Sequence, residues 1–144
     1  DYYCAIHTAY LVERITSDLK LDVRLAKCAA YYGHLPMEKL EEILFPEPVW
    51  SLLMELKRGG KALKRKEAVI VQICYRVVQE IQRANRQDKE KKPDYEQLIA
   101  PMFAKQYSME ALAETDITLA NLRYIKKRLL EEKMYYEVFM AREV

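Results

Sequence analysis

Only three glycines and five prolines punctuate 144 residues. That is too few for the turn-dense sequence of a sandwich or barrel, and the scarcity favours long helices. No apolar run approaches the ~20 residues that span a bilayer, and residues 1–10 form no basic-then-apolar signal segment, so no membrane insertion by this segment is expected. Neither sign of charge is in much excess, since 24 basic against 22 acidic residues leave +2. The whole surface is then no footprint for nucleic acid or anionic lipid, and any such role must be local. Cys4, Cys28 and Cys74 are an odd set at wide spacings in apolar contexts. They argue against a disulfide frame or a zinc cluster and read as reduced thiols of a cytoplasmic protein. The sequence holds no glycine-rich phosphate loop and no Ser-His-Asp grouping. Its start at Asp1 rather than Met is expected of a piece of a longer protein, whose neighbouring domains carry the output.

What is present is apolar residues at helical spacing. With 51% hydrophobic residues the chain can bury a core unaided, and one domain over 1–144 is expected. Tyr3, His7, Leu11, Ile15 and Leu19 recur every four residues on a first helix. Asp22 caps a second, small-faced helix that ends near Gly33. Pro36 opens a short third helix, Pro48 a fourth, and Gly59-Gly60 closes that one. Val69, Ile70, Ile73, Cys74, Val77, Val78 and Ile81 make the wide stripe of a central core helix. The charged stretch 86–93 is the best internal hinge. A helix follows from Tyr95 to Met102, then a short one holding Met109, Leu112 and Ala113, then a final helix capped by Thr118. The fold expected is all-α, a single compact domain of about six to eight helices.

Three stretches resemble the HD-domain phosphohydrolases, particularly the type in bacterial seven-transmembrane receptors that cleave cyclic dinucleotides. The first, His7-Thr8-Ala9-Tyr10-Leu11-Val12, is similar to that family's first-helix histidine and the stripe after it. The second, VRLAKCAAYYGHLP from Val23 to Pro36, resembles the Ala-rich helix that leads into His-Asp. The third, Glu67 to Tyr75, resembles the core helix carrying the last aspartate ligand. A looser fourth similarity lies in Tyr95 to Met102 and in Asp116 to Leu122, where Asn121 replaces a usual acidic residue. The resemblance implies a helical HD-type fold and, in active members, one or two divalent metals held by imidazoles and carboxylates.

Those ligands are missing here. The His-Asp slot falls on Tyr32-Gly33 and the aspartate slot on Tyr75, so His7 alone survives among the degenerate metal-site positions. A phenol titrates near ~10 and is a poor ligand at neutral pH, and glycine offers no side chain. Neither a metal nor any other cofactor is expected, and no catalytic residue is assigned. Should Tyr32 and Tyr75 fill the old pocket, their rings would take the volume of metals and phosphate and close it. His34 is weighed as a displaced ligand and as a histidine near a helix C-terminus. His7 is weighed as a core imidazole, as a ligand and, with Cys4 at i, i+3, as a thiolate-imidazole pair.

Two surface expectations complete the reading. Lys57, Arg58, Lys61, Lys64, Arg65 and Lys66 flank the glycine pair and are a candidate anion-binding cluster, against a solvated loop and basic helix start. Met134, Tyr135, Tyr136, Phe139 and Met140, with Val138 among them, form an aromatic and Met-rich run near the chain end. That run is a candidate interface, against folding back to cap the domain's own core. The function expected is a catalytically inactive HD-like regulatory or docking domain of a bacterial signalling protein. Its partner would be another protein, a neighbouring domain or a second copy. A divergent metal-dependent phosphohydrolase or phosphodiesterase acting on a nucleotide is the first alternative. A nucleic-acid-binding helical module using the 57–66 cluster is the second.

Overall fold

Asp22 separates the first two helices. The computed structural model describes residues 2–141, in which α1 (Tyr2–Asp18) ends at a turn where Lys20 takes a left-handed φ of 58°. Asp22 then accepts the amide of Leu25 at 3.1 Å and starts α2 (Val23–Tyr32). Cβ-only side chains at Ala26, Ala29 and Ala30 are buried on α2, which lets it lie close against α1. Beyond it come α3 (Met37–Glu41) and α4 (Glu47–Arg58), the latter carrying a proline in its first turn and ending at Gly59. Gly59 has φ 59° and ψ −168°, a conformation that a residue with a Cβ adopts only under strain.

The core is organised around α5 (Lys66–Gln87), whose ten buried residues include all seven of the stripe read from sequence. Arg65 at its N-cap makes no side-chain cap. Glu55 of α4 serves instead, accepting the amides of Lys64 at 2.5 Å and Arg65 at 2.9 Å and the Arg65 Nε at 3.0 Å. A carboxylate beside a helix N-terminus meets both the orphan amides and the positive end of the dipole.

The chain returns through α6 (Tyr95–Ala104), capped by Asp94, and α7 (Leu119–Glu131). Thr118 and Asn121 form a reciprocal capping box at the start of α7. After α8 (Lys133–Tyr135), residues 136–140 wind as one π-turn. Eight α-helices and no strand are found among the described residues. The short helix expected around Met109 to Ala113 does not form. Residues 105–116 are successive turns. There Ser108 accepts the Ala111 amide, Thr115 donates to the Leu112 carbonyl, and the Asp116 amide donates to Lys64. Hydroxyl groups competing for nearby backbone are what break a helix there.

Candidate functional site

Where α1, α2, α4 and α5 meet, a cleft of about 160 Å³ opens between the end of α2 and the middle of α5. Thr8, Gly33, His34, Gln72 and Tyr75 give it polar edges. Ala29, Ala30, Leu56 and Val71 make its apolar walls. The Ala29 carbonyl and Leu56 govern what position 33 can hold. A Cβ added to Gly33 would lie 2.7 Å from the Ala29 oxygen and 3.6 Å from Leu56 Cδ1. The first distance is shorter than real Cβ contacts, and the atom is backbone, so the last turn of α2 would have to move.

His34 lies partly buried in this cleft, and its Nδ1 has no hydrogen-bond partner among the described residues. Burial above all, with a smaller contribution from the positive charge of Lys57, holds its pKa below the ordinary imidazole value. Lys57 is itself turned inward, donating to the Leu35 carbonyl, and its pKa is lowered by burial. Tyr75 accepts a hydrogen bond from Gln79 Nε2 at 3.2 Å, and burial, then Cys4, pushes its phenol pKa up. The cleft thus presents a neutral imidazole, a phenol, a carboxamide and a hydroxyl. Among the described residues no three His, Cys, Asp or Glu side chains converge on a point that could hold a metal. The residues present do not fit a divalent metal.

No family model and no curated protein matches the chain. Solved structures do match. The HD domain of the L. monocytogenes phosphodiesterase PgpH superposes with a TM-score of 0.71 at 14% identity, over 94% of this chain and 92% of that one. The same domain in complex with cyclic-di-AMP gives 0.71 at 14% identity, over 93% and 91%. This chain has the HD-domain fold. The helix order and apolar pattern that carried the resemblance in sequence are therefore those of the fold itself.

Within the HD fold, the four positions read as the degenerate metal site are not brought together. Gly33 and Tyr75 line the cleft. Tyr32 does not: its ring is 37% exposed and packs edge-on against Phe45 at 5.2 Å. Gly33 and His34, just beyond the end of α2 at Tyr32, are the pair that lines the cleft from this stretch. Of the two tyrosines, Tyr75 alone lines the cleft. His7 does not line the cleft and is buried against the chain's last turns, its Nδ1 2.6 Å from the Tyr135 hydroxyl and its ring edge-on to Tyr135. Tyr135 also stacks on Tyr10 at 3.8 Å. Burial raises the Cys4 thiol pKa, which opposes a thiolate beside His7.

Half of the basic cluster is engaged by other groups. Arg65 is held by Glu55, Lys64 pairs with Glu114 at 3.3 Å, and Lys57 points inward to the Leu35 carbonyl. The terminal run also divides. Tyr136 and Met140 are buried within the domain. Met134 and Phe139 stay 77% and 59% exposed, and Tyr135 is half-buried between His7 and Tyr10.

The unpartnered imidazole gives a pH prediction. The folded-state pKa of His34 is lowered, so across the window from its unfolded value near 6.5 downward the unfolded chain binds more protons. Stability is then fully present above about pH 6.5 and falls as pH drops through the folded pKa. We expect His34→Gln to flatten the pH dependence of the urea midpoint between pH 7 and 5. An unchanged slope would place the imidazole in ordinary solvent.

Proposed function

We propose that this chain is a catalytically inactive HD-fold domain that works by regulation or docking within a bacterial signalling protein. One observation carries the reading. The cleft places a glycine with no room for a side chain, a neutral imidazole and a phenol where hydrolysis of a phosphate ester calls for clustered imidazoles and carboxylates. Its volume of about 160 Å³ is also below the ~300 Å³ at which ligand pockets usually begin. A cyclic dinucleotide would not be enclosed. Docking is supported by the exposed apolar side chains Met134 and Phe139 near one end of the chain and Leu44, 99% exposed, on the loop after α3. The partner we favour is a neighbouring domain or a second copy, in the cytoplasm.

The divergent phosphodiesterase reading rests on the fold likeness to PgpH, and one experiment separates the two. Purified protein is expected to carry no stoichiometric Mn, Fe, Mg or Zn by mass spectrometry. It is also expected to leave cyclic-di-AMP intact when Mn is supplied. One metal per chain together with turnover abolished by His34→Ala would establish the enzyme and end the inactive reading.

A further inference from the structure

The solvent face of α5 is grooved. Two adjoining concavities of about 400 and 500 Å³ run along it, sharing Tyr75, Arg76 and Gln79 in their walls. Their cations are Lys61, Arg76, Arg83 and Arg86, and Glu80 is the one carboxylate lining them among the described residues. Glu80 is already held between Arg76 at 3.4 Å and Arg83. The groove therefore keeps an excess of positive charge. Four carboxamides, Gln72, Gln79, Gln82 and Gln106, and the tyrosines Tyr75 and Tyr107 line much of the rest, with Leu63, Ala111 and Leu112 as an apolar stretch of wall.

We propose that this groove binds a short single strand of nucleic acid, along a surface that adjoins the Gly33-His34 cleft at Gln72 and Tyr75. A merely solvated helix face carries Lys and Glu in alternating pairs. Here every cation of α5 after Lys66 is an arginine, and only Glu67 and Glu80 are acidic in the helix. Guanidinium forks bind phosphate bidentately, which an ammonium cannot do. Carboxamides offer a donor and an acceptor together, matching base edges, and the half-buried Tyr75 ring offers a stacking surface, whereas Tyr107 is buried against Phe103 and contributes only the groove wall. An acidic peptide would use the arginines and glutamines but bring no base to stack on Tyr75. From Gln72 to Arg86 the helix rises about 21 Å, the scale of a site of roughly 4 nucleotides.

The test is fluorescence anisotropy with a 5′-labelled 12-mer of oligo(rA) at 50 mM and 200 mM salt, using the whole chain. We expect binding that weakens steeply with salt. The triple variant R76Q/R83Q/R86Q should lose at least tenfold in affinity and about 2 in the log–log salt slope. Lys126→Gln with Lys127→Gln on α7 should change affinity less than twofold. Because removing both partners of Glu80 can perturb folding, Arg86→Glu, which lies outside that ion pair, is measured alongside and should lose about tenfold with an unchanged melting midpoint. No binding at 50 mM salt, or equal binding by a folded Arg86→Glu variant, overturns the site. Polyglutamate displacing the label as well as unlabelled 12-mer overturns the nucleic-acid assignment. So does displacement at the same concentration by inorganic phosphate.

Discussion

Replacing Tyr136 with Ala is expected to destabilise the domain by about 3 to 5 kcal/mol, the cost of deleting a large side chain from a packed core. Its ring is fully buried and packs against Tyr95 at 5.2 Å, and its hydroxyl donates to the Leu129 carbonyl at 2.6 Å. Tyr136→Phe keeps the ring and should cost about 1 kcal/mol for the hydrogen bond. Phe139→Ser, three residues on and largely exposed, should move stability by no more than about 0.5 kcal/mol. Urea titration measures all three, with light scattering alongside. Should Tyr136→Ala leave the urea midpoint in place and instead halve the particle mass, the tail would be an interface rather than a cap.

Glu55→Ala is expected to cost about 2 to 4 kcal/mol, because two amides at the head of the central helix and a partly buried guanidinium lose their acceptor together. The pair is not fully desolvated, since the Arg65 side chain is 33% exposed, which keeps the figure below that of a wholly buried ion pair. Glu55→Gln retains one acceptor oxygen and should fall between the wild type and Ala. Hydrogen exchange at the Lys64 and Arg65 amides is the direct readout. Protection there that survives Glu55→Ala would show that α5 is secured by its apolar stripe alone.

The fold was legible because its determinants are local in sequence. The stripe from Val69 to Ile81 and the caps at Asp22 and Thr118 each state their structure within one or two helical turns, and each stands where it was read. The site was less legible. Whether Tyr32 or His34 faces the cleft depends on where α2 stops, and a one-residue change there turns a side chain by about 100°. The 57–66 cluster is dense in sequence yet partly taken up by ion pairs, whereas Arg76, Arg83 and Arg86 are spaced in sequence and line one concavity. Composition could not sort Tyr136 from Phe139, since a buried cap and an interface draw on the same residue types.

The crowding at Gly33 reaches into how this protein changes over generations. A side chain at that position collides with the Ala29 carbonyl, a backbone atom, rather than with a flexible neighbour. A single codon change that placed a larger side chain there acts on the end of α2 before it acts on the cleft. The shape of the helix end and the chemistry of the cleft at this position are therefore inherited together, as one choice and not two.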